Sequence, residues 1–541
     1  MNMQRIVQVA AFAVATSVTL PAFAAAPTNE GGEYTYTGSP ADMRTENQTG
    51  DQIWNVPNPI SVSGFFPGVG NGTVGPYWQI YRGATITWKN NDRVMKGNVV
   101  LENDNVWVGV EGYIGYTGPV KLCLRNSGSL TAKTCPIYIG RSYNNGTAGT
   151  ATVFLEEPSR LTSITNNMIV GGTLPGAIWM DGGVLSITNA TLHIGGSAAA
   201  AGYIRLNGGE ISLRAETADN CHAAYIGRKG SYASVHVSGG TLGSRRSGVP
   251  SNSFFFLGGE TGKAADMYVD GGVLNVWNER FDIGSWDNGT TGGRATLTVD
   301  GDALAIVHLP IMGRTGSGNR ATVNLNGGRF ELTRSFSTYG NTGNRRGLNF
   351  DGGTLALVKH PRTTSNVGTL DSAAGDIVIY PRGGSIDVPS GIAGIVSASF
   401  RAAEGYGVSE IALTDPGSGY VTAPEVKITG GVGSNATAYA VLNKDRTLEK
   451  IVVTCRGEGY AADDAVTVTI ESATGSGAAA TASLAPNAGG AIRKTGAGAL
   501  QLSTSNNTFD GDVEVVEGAL TPKGAGFTSV SSLRMYEGTI L

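Results

Sequence analysis

The chain has 541 residues, of which 81 are glycine and 20 proline, with 15% charged and 40% hydrophobic side chains. An interior glycine costs a helix roughly 1 kcal/mol, so this composition argues against a helical protein and for many short strands joined at glycine corners. A net charge of -4 and a pI near 5.8 exclude an electrostatic basis for binding nucleic acid.

The chain opens with the basic start Met1–Arg5, an uncharged apolar run from Ile6 to Leu20, and Ala22-Phe23-Ala24. That order predicts a secretory signal peptide over residues 1–24, too short to span a bilayer, with cleavage after Ala24. The expected location is therefore secreted: extracellular or on the outer-membrane surface. Residues 25–100, with Trp54, Trp78, Trp88, Phe65 and Phe66 among prolines and glycines, read as an irregular β cap over the end of a repeat array. Cys123 and Cys135 are spaced to close a small loop and form the candidate disulfide of an exported chain. Cys221 and Cys455 read as buried thiols. No C-x-x-C occurs, so neither a zinc site nor a redox cofactor is expected.

From 101 to 400 the chain repeats. The triplets Asp181-Gly182-Gly183, Asn207-Gly208-Gly209, Ser238-Gly239-Gly240, Asp270-Gly271-Gly272, Asn326-Gly327-Gly328 and Asp351-Gly352-Gly353 recur every 25 to 32 residues, with Asp300-Gly301-Asp302 filling one slot. Arg382-Gly383-Gly384 reads as a degraded further copy. Apolar pairs spaced by two precede each triplet, such as Ile178 and Met180. Similar pairs follow, such as Leu185 and Ile187, or Leu304 and Ile306. That spacing is the strand period. A third landmark is an apolar residue before glycine, as in Ile139-Gly140, Ile194-Gly195 and Met312-Gly313. Asp-Gly and Asn-Gly also mark hairpins, but two strands and a tight turn use about a dozen residues, less than half of each unit. Three strands per coil use the length. The expected fold is all-β, a right-handed parallel β-helix whose Leu, Ile and Val stack into one continuous core.

Residues 405–486 follow a different period of about 40. Gly417-Ser418-Gly419-Tyr420 is echoed by Gly457-Glu458-Gly459-Tyr460, and Gly433-Ser434 by Gly475-Ser476. This block resembles the glycine-tyrosine β-repeats inserted in bacterial surface and phage tail proteins, and predicts a small β module interrupting the solenoid.

The repeats from about Ile139 to Leu357 resemble the β-helical passenger regions of Gram-negative autotransporters. A sharper resemblance lies in Lys494-Thr495-Gly496-Ala497-Gly498-Ala499-Leu500-Gln501-Leu502, continuing through Asn506-Asn507-Thr508-Phe509-Asp510-Gly511 to Glu517-Gly518-Ala519-Leu520. It is similar to the autotransporter-associated β-strand repeat and makes 490–541 a continuation of the β-helix. The resemblance implies an adhesive or structural surface passenger whose partners are host or environmental glycans or protein surfaces. It also implies an outer-membrane β-barrel, which is missing here. The chain stops at Leu541 in mid-repeat, and the expectation is a fragment of a longer autotransporter.

β-Helices also carry polysaccharide lyases and glycoside hydrolases, which need two carboxylates across a cleft or a basic residue beside a metal-bound acidic cluster. Asp181, Asp270, Asp300 and Asp351 instead recur at one corner slot, where Asx residues form turns. We therefore assign the triplets a structural role and name no catalytic, cofactor or metal residue. Calcium nonapeptides and EF-hand loops are absent. His193 and His236 alternate with apolar neighbours and are expected on outer strand faces. Arg228-Lys229, Arg245-Arg246 and Arg345-Arg346 are expected on loops, either simply solvated or aligned to meet acidic glycans. The function expected is a non-enzymatic surface stalk or adhesin; the alternative is a glycan-cleaving enzyme on the same fold.

Overall fold

The computed structural model describes short strand segments between residues 33 and 114. It then describes 120–541 apart from 133–134, 142–148, 197–199, 216–223, 228–231, 247–253, 259–261, 285–291, 314–316, 339–342, 360–364, 505–506 and 523–529. The expected signal peptide, Cys221 and Arg228-Lys229 lie outside the described residues.

Among the described residues the chain is all-β, with a single 3-10 turn at Ser372–Ala374. The strands form three parallel ladders, the walls of a solenoid. The first wall carries the strands before each triplet. It runs from Glu33–Thr35 through Gly176–Thr188 and Ala264–Val269 to Phe400–Ala402. The second wall carries those after it, from Ser129–Ala132 to Leu533–Met535. The third holds the apolar-glycine landmarks, such as Ile137–Ile139 and Leu192–Ile194. The first ladder reaches well into the stretch expected to be an irregular cap. That stretch lacks the triplet, so its coils carried no corner signal.

The repeat positions stack in register. Ile178 pairs with Ile204, which pairs with Val235, Met267, Leu297 and Val323 in succession. Their side chains fill one interior cluster that continues to Leu520. The two glycines of a triplet answer two needs. A Cβ on the first, as at Gly208 or Gly271, would collide with the corner carbonyl of the coil beneath. Except in the Asp351 triplet, where Gly352 takes that role, the second adopts the left-handed region, with φ of 73° at Gly183 and 65° at Gly272.

One expected face is corrected. In the coil at 300, Asp302 and Ala303 make the corner one residue longer, and Ala305 and Val307 point inward while Leu304 and Ile306 point out. A shift of one residue in a strand exchanges its two faces.

The rod stops at Ala402 and resumes at Ile492, where Gly384–Asp387 stacks directly on Ile492–Thr495. Lys494 thus enters an interior column, between Ile386 and Val515, and is 1% exposed. Its ammonium donates to the carbonyls of Thr495 at 2.6 Å, Glu517 at 3.0 Å and Gly496. Those bonds satisfy a buried cation and give the Lys-Thr-Gly motif a structural meaning.

Between these points the chain forms the inserted module, built of antiparallel strands. Its two 40-residue copies exchange partners. Tyr406–Ser418 pairs with Ser476–Pro486, Leu448–Cys455 with Thr437–Leu442, and Glu425–Thr429 with Thr467–Glu471. First strand thus meets third, and second meets second, the pattern of a pseudo-two-fold axis. Tyr460 lies against Gly433 and Tyr420 against Gly475, where any Cβ would strike the ring.

Candidate functional site

A β-helix wall normally turns alternate residues to solvent. On the first wall that outward row runs from Ile80 and Val100 through Cys123, Phe154 and Trp179, continues through Arg205, His236 and Tyr268, and ends with Thr298, Asn324, Asn349, Val378 and Arg401. Nearly all of it is buried, because the module lies back along the rod and covers it. Tyr439 stacks on Tyr268 at 5.1 Å and meets His236 edge-on at 5.5 Å. Polar contacts fix the alignment. Lys444 pairs with the corner carboxylate of Asp181, Asn326 donates to the Thr454 carbonyl at 2.9 Å, and Arg401 holds Glu458 with two bonds of 2.6 and 2.7 Å. These contacts reach from the coil of Trp179 to that of Arg401, eight coil steps or about 38 Å at the usual strand spacing.

His236 is 0% exposed and its Nε2 lies 2.9 Å from Asp270 Oδ1. Burial under Tyr439 pulls its pKa down, against the opposing pull of Asp270. Asp270 is itself held below the usual carboxylate range: burial pushes it up most, but the hydrogen bond with His236 and the charges of His236, Arg205 and Lys450 together outweigh that push.

At one end of this interface the contact opens into a cavity of about 370 Å³. The rod contributes Arg320, Arg345, Arg346, Thr322, Asn349 and Tyr380; the module contributes Asn435, Cys455 and Glu458. Arg294, Arg320 and Arg345 are stacked ladder partners in successive coils, and like charges placed directly opposite repel. Arg294 is neutralised by Asp266 through bonds of 2.8 and 3.0 Å, with Glu425 at 3.5 Å. Arg320 and Arg345 make no ion pair among the described residues. Burial lowers the pKa of the Arg320 guanidinium, and its arginine neighbours pull the same way. Tyr380 OH lies 3.3 Å from Cys455 Sγ and ties the rod to the module.

The sequence-predicted residues fall out as follows. The corner residues form a ladder along one edge: Asn207 Nδ2 donates to Asp181 Oδ1 at 2.8 Å, and Ser238 Oγ to Asn207 Oδ1 at 2.8 Å. Asp351 receives the backbone N–H of Arg382 at 3.1 Å. These corners also serve the docking, since Asp181 and Asn326 are anchors for the module. The Cys123–Cys135 disulfide is not formed. Cys123 sits on the outer side of the first wall, between the inward-facing Leu122 and Leu124, whereas Cys135 lies in the rod interior. Burial pushes the Cys123 thiol up to about 12, which leaves it unreactive at neutral pH. Arg345-Arg346 opens the strand Arg345–Phe350 and Arg245-Arg246 closes Thr241–Arg246, so neither pair is in a loop. His236 is on an outer strand face as expected, but beneath the module. Among the described residues, no group of three or more His, Cys, Asp or Glu is placed to hold a metal ion.

Sequence reasoning missed the covered wall. Its signal was present: Ala151–Leu155 and Ala264–Val269 carry apolar or aromatic residues on both faces, the pattern of a strand buried on both sides. In comparisons with known proteins, no family model, no curated protein and no solved structure matches this chain.

Proposed function

We propose that this chain is the rod of an exported bacterial surface protein, a non-enzymatic passenger that serves as a stalk or adhesin towards glycan or protein surfaces. The observation that carries the reading is the register-matched stack of coils. It makes a stiff body whose backbone bonds are satisfied between neighbours, and it gives its corners a repetitive structural task. The signal-peptide pattern of residues 1–24 and the resemblance of 494–520 to the autotransporter-associated repeat support export to the surface. Of the two carboxylates that line the cavity, Asp376 and Glu458, Glu458 is poorly suited to act as a general acid. Glu458 is gripped through both oxygens by Arg401, which, against the push of burial, keeps its pKa below the usual range, the opposite of what a general acid needs.

The test is expression of the full chain in a Gram-negative host, followed by fractionation and N-terminal sequencing. The expected product begins at Ala25 outside the cytoplasm and releases no reducing ends from acidic or neutral polysaccharides. A cytoplasmic chain retaining Met1 defeats the export reading. Reducing-end release that survives purification defeats the non-enzymatic one.

A further inference from the structure

We infer that the cavity between the rod and the docked module is a binding site for one acidic sugar unit, whose carboxylate is held by Arg320 and Arg345. The inference is independent of the passenger reading, because a rod of any role can carry such a site.

The arginine row supplies the first argument. Arg294, Arg320 and Arg345 occupy the same position in three successive coils, about 4.8 Å apart per step. The fold neutralises Arg294 internally with Asp266 and Glu425. It leaves Arg320 and Arg345 without an ion pair among the described residues, facing a cavity. Arg320 is half-buried and Arg345 exposed; an arginine cannot shed its proton to relieve the repulsion of its ladder neighbour, so the two together favour an anion. Their planar forks match a carboxylate. A third polar group, Arg346 Nε, is buried at the same place with no hydrogen-bond partner.

Gly347 supplies the second argument. It sits in the outward row that carries Tyr203, Ser234, Asp266, Thr296 and Thr322 in the coils before it. The corner glycines are required by a positive φ or by a close carbonyl, but Gly347 is not. Its φ lies outside the left-handed region, and a Cβ there would meet nothing nearer than 3.8 Å. Neither backbone nor packing demands glycine; its effect is to leave the floor of the cavity open.

The size and lining choose the ligand class. At about 370 Å³ the space is at the lower end for small-molecule sites, room for one or two sugar rings and not for a folded partner. Arg401 and Glu458 neutralise each other there, Asp376 adds one further carboxylate, and beside Val378 and Cys455 the rest of the lining includes the hydroxyls and amides of Thr322, Asn349, Asn435 and Tyr380. These suit the hydroxyls of a uronate, while the arginines take its carboxylate.

The experiment is calorimetric titration of the full chain with D-galacturonate, D-galactose and inorganic sulfate, in parallel. Galacturonate is expected to bind, galactose not to bind, and sulfate to bind at least about tenfold more weakly, the scale of lost hydrogen bonds to one charged group. Arg320→Gln and Arg345→Gln should each weaken galacturonate by about tenfold or more. Gly347→Phe, which fills the floor without touching a charge, should abolish binding while the thermal unfolding midpoint stays within a few degrees. If Gly347→Phe fails to fold, the two arginine variants decide. The proposal is overturned if galacturonate does not bind, if it binds a folded Gly347→Phe chain unchanged, or if both arginine variants bind as well as the parent. Equal affinity for sulfate and galacturonate overturns the sugar assignment, leaving only a bare anion site.

Discussion

The two copies of the 40-residue repeat in the module have the same internal construction, but their third strands have opposite surroundings. In each, a tyrosine that follows glycine, Tyr420 or Tyr460, lies on a glycine of the other copy, Gly475 or Gly433. The third strands then part company. Thr437–Leu442 is buried at every position against the rod, whereas Ser476–Pro486 is exposed or half-buried throughout. Superposing Gly433-Ser434 on Gly475-Ser476 sets Tyr439 opposite Thr481 and Val441 opposite Ser483. The contacts that hold a repeat to its twin are alike in both copies, and the outer face is written by what each copy meets. The third strand of one copy meets a wall of aromatic and aliphatic side chains; that of the other meets water.

The comparison can be broken most sharply at the docking face. Tyr439→Ala should destabilise the protein by about 3–5 kcal/mol in denaturant unfolding, the usual loss for a buried large side chain. Thr481→Ala, its exposed counterpart, should change stability by less than about 0.5 kcal/mol. Comparable effects at the two sites would mean that the rod does not bury the first copy in solution.

A smaller effect should be symmetric. Gly433→Ala and Gly475→Ala each push a methyl into a tyrosine ring, and each should destabilise by about 1–3 kcal/mol, as overpacking does. Limited proteolysis with unfolding curves for both variants will show whether the pseudo-two-fold axis is energetic as well as geometric. A loss in only one variant would deny it.

Acidification should act on the docked third strand, through His236 beneath Tyr439. The folded state holds His236 below its ordinary pKa, so the unfolded chain takes up the proton more readily. The stability linked to His236 is therefore full above about pH 6.5, the unperturbed value, and is lost as pH falls from there toward the lowered folded pKa. Unfolding midpoints measured between pH 5 and 7.5 should fall on the acid side, and His236→Gln should flatten that slope. An unchanged slope in the variant would assign the pH dependence elsewhere. The smallest effect is expected of the surface pairs: Lys444→Ala, which removes the contact with Asp181, and Lys427→Ala, which removes an exposed pair with Glu471. Each should lower stability by less than about 1 kcal/mol, with the partly buried Lys444 the larger of the two in the same unfolding assay.

Much of the rod is legible in particular residues. Ile178 and Met180 before Asp181, and Leu185 and Ile187 after Gly183, announce two strands and the corner between them, since a period of two and a glycine turn are local properties of the chain. The corner at 300 shows where that reasoning fails. Asp302 and Ala303 replace a glycine, the corner lengthens by one residue, and Leu304 and Ile306 turn outward. The loop expectation for Arg345-Arg346 failed for a related reason: charged residues open a strand here because their backbone is laddered while their side chains meet a cavity. Cys123 and Cys135 are near in sequence but separated by the wall itself, and chain distance carries no information about which side of a strand a thiol occupies.

The amino-acid sequence by itself determined the three-strand coil, the glycine corners, the stacked core and the two-copy block that interrupts them, because each rests on spacing within a few tens of residues. Only the tertiary structure decided that the block lies back along the first wall, that His236 and Tyr268 are covered, and that Arg320 and Arg345 share a cavity with Glu458. Those outcomes join residues more than a hundred positions apart. Solvent exposure on the outer face of a strand depends on what docks there, and a periodic pattern records only which side faces in.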